Sequence, residues 1–436
     1  METLLTESLW GDESFSAMAV KLPFGETMGV VMRDTAPPLF YFVGWIWGRV
    51  FGFSEVALRS SSLLLMIGAA VFAYAIVKRI GKDRFAAIGA GFLSLLSPFL
   101  VPFAFEFRMY ALFAFLVVGS VYFFIARKWR SYVVFTVAAL YSHHYALFTV
   151  FGQFVWFLVT EFHWKSWRTF PRQLWPFVLI GALYIPWLYP FYLQIARVKG
   201  AGFWLQAPGV WEILGTLGRF ATGGVPAGFV LPTAFLVGGL LLGKDWKRIG
   251  KRWLELFVIF LMPVAVAVGI SHVLTPIFYD RYLLSVAIGT VILTTLGIRG
   301  RFRAGLFMLL VLYGYVSFTL FTHPTKRPFR ELAAYVHSEQ LEGDFFINYN
   351  GRAHHLWESK YYGISAPIYT PAGPLPLYVG TAQMTAEDTV AKLPEQALRL
   401  GVITSDPAET IVLPGGFRRA GIKEFGELKV VWFSHL

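Results

Sequence analysis

Apolar runs of about 17 to 25 residues recur along this chain, each long enough to carry an α-helix across a hydrocarbon core about 30 Å thick. Of 436 residues, 56% are apolar and only 15% are charged, a surplus that no soluble core absorbs. Lipid is the solvent that does. The chain therefore reads as a polytopic α-helical membrane protein of about ten spans. They are expected near residues 57–77, 85–104, 109–125, 131–145, 146–160, 174–192, 226–243, 254–274, 282–298 and 304–321.

The net charge of +12 does not point to nucleic acid, because the cations sit in short clusters between the apolar runs. The clusters are Lys78, Arg79, Lys82 and Arg84; Arg127, Lys128 and Arg130; Lys165, Arg168 and Arg172; Lys244, Lys247, Arg248, Lys251 and Arg252; and Arg299, Arg301 and Arg303. Cytoplasmic loops carry such an excess. Residues 1–56, the loop 193–225 and the tail from 322 then lie outside the cytoplasm, and a multi-pass plasma-membrane protein with an extracytoplasmic active site is expected. No cysteine is present, which excludes disulfides, thiolate catalysis and Cys-ligated zinc.

Three segments are expected: an extracytoplasmic first loop, 1–56, with interfacial helices and catalytic carboxylates; a multi-span domain, 57–321; and an extracytoplasmic α/β domain, 322–436. The opening METLLTESLWGDES has neither the basic flank nor the apolar core of a leader, so the chain is read as starting just after a first helix. In the tail, RELAAYVHSEQ has helical character, while FFINY, LGVIT, ETIVLP and LKVVWF are strand-like.

The residues able to do chemistry gather on the same side. Asp12 and Glu13 precede SFSAMAVKLPFG, a stretch expected to lie as an amphipathic helix in the interface. Adjacent carboxylates act as a catalytic pair or are simply solvated. Asp34, before Pro37 and Pro38, is either a site residue or part of a turn. In FEFRMYAL, Glu106, Arg108 and Tyr110 fall at a span mouth, where ionisable groups are costly and mark function unless they form a structural ion pair. Ser142, His143, His144 and Tyr145 suit packing and hydrogen bonding better than metal binding, since neighbouring helical positions point in different directions. Asp280, Arg281 and Tyr282 stand at another helix end, Arg281 being a phosphate ligand or a snorkelling anchor. His354 and His355 are too isolated in sequence to suggest a site.

The ordered series WGDESFSAMA, DTAPPLFYFVGWIWGRVFGFSEVALRSSS, SPFLVPFAFEFRMYAL, RYLL and RPFRELAAY resembles the GT-C class of polyprenyl-phosphate-sugar-dependent membrane glycosyltransferases, which includes protein O-mannosyltransferases and aminoarabinose transferases. The resemblance covers essentially the whole chain and is densest in residues 10–115. The His frequent before the paired prolines is replaced by Ala36, which argues against the O-mannosyltransferase branch.

The resemblance implies an inverting transfer of a sugar from a polyprenyl-phosphate donor to a lipid, glycan or protein acceptor. Asp12 matches the catalytic carboxylate, with Glu13 beside it. Asp34, Glu106, Arg108, Tyr110, Arg281 and Tyr282 are the candidate groups for the donor phosphate and sugar. Arginines supply charge to a leaving monophosphate, so no cofactor is required, while a divalent metal remains possible. The aromatic run with Phe40, Tyr41, Trp45 and Trp47 suits an isoprenoid groove or an ordinary interfacial belt. The alternative is a transporter or flippase of lipid-linked sugars, which should carry charged or helix-breaking residues at the midplane of several spans.

Overall fold

The computed structural model describes residues 2–161, 173–201, 205–225, 227–349, 353–373, 375, 380–394 and 397–435. The cationic cluster Lys165, Arg168 and Arg172 lies outside these residues. Three short helices come first: α1 (Gly11–Lys21), α2 (Phe24–Arg33) and α3 (Leu39–Phe51). Pro23 separates α1 from α2, and Pro37 and Pro38 lie in the bent, non-helical stretch between α2 and α3.

A helix stands at every expected span. They are α4 (Glu55–Gly81), α5 (Arg84–Leu96) with the one-turn α6 (Val101–Ala104), α7 (Met109–Ile125), α8 (Trp129–Leu140), α9 (Ala146–Glu161) and α10 (Trp175–Ala201), then α12 (Ala227–Leu242), α13 (Trp246–Val273), α14 (Leu284–Thr295) and α15 (Phe302–Thr322). Four stretches, Glu55–Gly81, Trp175–Lys199, Trp246–Val273 and Phe302–Thr322, are long and apolar enough to cross a membrane by length and composition. With the shorter apolar helices around them, they make the chain a multi-pass membrane protein.

Three expectations change. The span 85–104 is broken, because Pro98 forces Ser97 into an extended conformation and ends α5. Within the loop 193–225, α10 runs on to Ala201 and a further helix, α11 (Val210–Thr222), follows. Finally, α1 does not present one apolar stripe: eight of its eleven residues are buried, Glu13, Ser14 and Ser16 among them. It is packed into protein rather than laid on a surface.

The C-terminal segment forms a six-stranded sheet in the order β3-β2-β1-β4-β6-β5. The strands are β1 (Asp344–Asn348), β2 (Ile368–Tyr369), β3 (Thr389–Val390), β4 (Arg399–Thr404), β5 (Phe417–Phe425) and β6 (Leu428–His435). Strand β1 runs parallel to β2 and β4, while β6 is antiparallel to β4 and β5. Helix α16 (Phe329–Glu339) buries Phe329, Leu332 and Val336 with Phe346, Ile403, Val430 and Trp432; a second core gathers Ile347, Leu400, Val402, Val431 and Phe433. ETIVLP is not a strand. A 3-10 turn covers Ala408–Thr410, the Tyr349 hydroxyl takes the Val412 N–H at 2.8 Å, and Val412 is exposed.

The chain divides into two compact units, one of Met1–Thr35, Tyr41–Leu58 and Pro324–Leu436, the other of Ala36–Phe40 and Arg59–His323. The first unit thus joins the carboxylate-bearing opening to the C-terminal sheet. Arg330, from RPFRELAAY, is central to that union: it pairs with Glu55 at 2.7 Å and donates to the Thr6 carbonyl at 2.7 Å. Tyr362 donates to Glu55 at 3.0 Å and accepts the Leu9 N–H at 2.8 Å.

Candidate active site

In the first unit the two adjacent carboxylates have different surroundings. Glu13 is fully buried; it accepts the Trp10 N–H at 3.4 Å, closing the first turn of α1, and the Lys326 ammonium at 2.9 Å. Lys326 also stands 3.6 Å from Glu7, and its backbone N–H donates to Glu7 at 3.1 Å. Asp12, one residue earlier, keeps 20% of its side chain exposed. The N-terminus of α1 favours a carboxylate at both positions.

Helix α17 (Ala353–Tyr361), which carries His354 and His355, flanks Asp12. His354 Nε2 lies 3.4 Å from Asp12 Oδ1, and its ring meets Trp10 edge to face. Trp357 packs edge to face on Phe15, and the Lys21 ammonium sits 4.3 Å from the Tyr361 ring centre. Burial lowers the pKa of Lys21. Glu358 is buried with its carboxyl facing the Gly11 N–H; burial pushes that carboxyl well above the usual range, against the pull of Arg327. Gly11 is required here, because a Cβ would fall 2.3 Å from the His354 Cβ and 2.8 Å from its Cα. His355 points elsewhere, accepting from Arg327 at 3.1 Å.

Asp34 is also in this unit. It is buried, its N–H closes α2 on the Val30 carbonyl at 2.9 Å, and it accepts the Tyr41 hydroxyl at 3.1 Å. Trp45 donates to the Leu22 carbonyl at 3.2 Å, and Arg49 stacks 3.7 Å over the Trp45 ring while donating to the Val20 and Leu22 carbonyls.

The second unit gathers the remaining candidates. Glu106 and Arg108 are both buried in the irregular segment between α6 and α7, where Ser62 donates to the Glu106 carbonyl at 2.7 Å. Tyr110, at the start of α7, lies 6.3 Å from Tyr282 and 6.2 Å from His143, ring centre to ring centre. His143 in turn is 5.1 Å from Tyr282 and 5.4 Å from Tyr145. The Arg281 guanidinium stands 4.9 Å over Tyr279 and 5.9 Å over Tyr110. Asp280 turns aside to Arg219 at 3.0 Å. An aromatic cluster results, built from Tyr110, His143, Tyr279, Arg281 and Tyr282, with Arg108 close enough to act electrostatically on His143. His144 faces the other way and meets Gln194 at 3.0 Å, whose amide donates to the Ala36 carbonyl.

Tyr279, Lys326 and Glu358 carry no motif of their own, though Tyr279 adjoins Asp280-Arg281-Tyr282; His143 stands in a cluster read as packing and hydrogen bonding, and His354 looks isolated in sequence. Among the described residues no three His, Asp or Glu side chains converge to hold a metal ion.

No protein-family model and no curated protein matches the chain. Among solved structures it is similar to apo ArnT from Cupriavidus metallidurans, an aminoarabinose transferase, with a TM-score of 0.61 at 13% identity over 99% of this chain and 94% of that one. The same protein bound to undecaprenyl phosphate gives a TM-score of 0.59 at 13% identity over 99% and 95%. The likeness is one of fold, extends along the whole chain, and bears out the GT-C fold implied by the order of the motifs.

Proposed function

We propose that this protein is an inverting glycosyltransferase that moves a sugar from a polyprenyl-phosphate donor to an acceptor outside the cytoplasm. The observation that carries this reading is the end-to-end fold likeness to ArnT, solved with undecaprenyl phosphate bound. Asp12 is the base. It takes the proton of the acceptor hydroxyl as that oxygen attacks the anomeric carbon, while the carbon–oxygen bond to phosphate breaks on the opposite face. The products are a glycoside of inverted configuration and free polyprenyl phosphate.

Glu13, tied to Lys326, holds the first turn of α1 in which Asp12 sits. In the second unit Arg108 and Arg281 meet the charge that grows on the leaving phosphate, where ionised donors are most effective. Tyr110 and Tyr282 wall the phosphate, and Glu106 and Asp34 take sugar hydroxyls.

The test is transfer by purified protein from a panel of radiolabelled undecaprenyl-phosphate monosaccharides into lipid, glycan and peptide acceptors. Label moving from one donor with inversion supports the reading. Binding of undecaprenyl phosphate without transfer, together with its movement across a liposome bilayer, would replace it with a flippase.

A further inference from the structure

Helix α17 lies along α1 with one face, His354, Trp357, Glu358 and Tyr361, whose i, i+3, i+4, i+7 spacing is that of a single helical stripe. Each member has a partner on α1 or at its start. His354 meets Trp10 and Asp12, Trp357 meets Phe15, Glu358 faces the Gly11 N–H, and Tyr361 meets Lys21. Two further hydrogen bonds lock the same region: Trp357 to the Gly380 carbonyl at 2.7 Å, and Gln383 to the Phe15 carbonyl at 2.8 Å. The register between the helices is thereby fixed at both ends, and Gly11 permits backbone approach where His354 crosses. His354 and Glu358, one turn apart, bracket the first turn of α1.

We infer that His354 is the positioning residue of Asp12: its imidazole orients the carboxylate for proton abstraction and sets the pH at which that carboxylate works as a base. A carboxylate at a helix start rotates about χ1 and χ2 unless something holds it. His354 supplies a ring nitrogen at 3.4 Å while remaining half exposed, so substitution there removes a partner without opening a core. Glu358, underneath, fixes the backbone at Gly11 rather than the Asp12 side chain. The other titratable groups around the pair are Glu13, Glu7, Lys326 and Arg327, with Glu358 buried beneath as a carboxyl that burial holds toward its protonated form. None of them changes when His354 is replaced.

The inference rests on Asp12 being the base, and the experiment separates the two ideas. With the monosaccharide donor that wild type uses, kcat, donor KM and the pH–rate profile are measured for His354→Ala, His354→Gln and Asp12→Asn. His354→Ala is expected to lower kcat about 10- to 100-fold, the scale of a misplaced catalytic group, with donor KM unchanged. Where the imidazole is protonated, its loss should move the acid limb to higher pH, since a carboxylate that loses a cationic neighbour holds its proton more tightly. His354→Gln should recover most of kcat, because its side-chain amide can reach and donate to the same carboxylate, but should keep the shifted limb because it carries no charge.

An inactive Asp12→Asn beside a His354→Ala with wild-type kcat and pH profile overturns the positioning role alone. So does a fall in kcat with an unmoved acid limb and no recovery in Gln, which marks a structural role. An active Asp12→Asn, or a wild type that transfers from no donor, overturns the base assignment and this inference with it.

Discussion

The ammonium of Lys326 lies 2.9 Å from the carboxylate of Glu13, which is fully buried at the start of α1. Lysine and glutamate stand 313 residues apart in sequence, and their pairing separates the tasks of two adjacent acids: Glu13 holds the turn, and Asp12 keeps 20% of its side chain exposed. Removing one partner of a buried ion pair costs about 3–5 kcal/mol, because the other charge stays behind unpaired. Lys326→Met should therefore lower the apparent melting temperature in detergent sharply, with Glu7 and Glu13 left together. Lys326→Met/Glu13→Gln should recover part of the loss. A single variant as stable as wild type would show that the pair is not structural.

Glu358 gives a pH dependence of defined sign. Burial raises its folded-state pKa well above the ordinary 4.5, so the native state binds the proton more tightly than the unfolded chain. The resulting stability is fully present below the unfolded value and is lost as pH rises through the folded one. Glu358→Gln removes this dependence while keeping an acceptor for the Gly11 N–H. Melting curves from pH 5 upward should show the variant gaining on wild type as pH rises. Parallel curves would contradict the assignment of a protonated carboxyl.

Arg108 and Arg219 make a contrast within the second unit. Arg219 pairs with Asp280 at 3.0 Å, and Arg108 is the residue proposed to meet the donor phosphate. A charge-assisted hydrogen bond is worth about 1.5–3 kcal/mol, or about 10- to 100-fold in affinity. Arg108→Ala should weaken undecaprenyl phosphate binding by that factor and lower turnover as well, while Arg219→Ala leaves binding near wild type. Equal effects would remove Arg108 from the phosphate site.

Because the protein contains no cysteine, a single introduced thiol reports topology cleanly. Val412 is 75% exposed on the C-terminal sheet domain, so Val412→Cys should react with a membrane-impermeant maleimide on intact cells. Labelling only after permeabilisation would place that domain, and Asp12 with it, in the cytoplasm.

The helical framework was legible because apolar runs of membrane length carry their own signal. The tail strands FFINY, LGVIT and LKVVWF were legible because they are buried and β-branched or aromatic. Strand β5 was not: its residues Arg418, Arg419 and Lys423 are exposed at the edge of the sheet, where pairing with β6, rather than burial, makes the strand. ETIVLP misled for the converse reason, being strand-like in composition but with its Val412 N–H taken by the Tyr349 side chain. Helix α17 was invisible because half of what it buries, His355, Glu358 and Ser359, is polar. His354 looked isolated since its partner Asp12 is near only in space. Sequence proximity did reveal Asp280-Arg281-Tyr282 and Glu106-Arg108-Tyr110, though not that both groups share one aromatic cluster with His143.

The most direct test compares wild type with Asp12→Asn for transfer from a radiolabelled undecaprenyl-phosphate monosaccharide, with undecaprenyl phosphate binding measured on the same preparations. The account predicts that both bind the lipid alike and that the variant loses about 10²- to 10⁴-fold in transfer, the contribution of a positioned base. An Asp12→Asn protein that transfers sugar at the wild-type rate would contradict it.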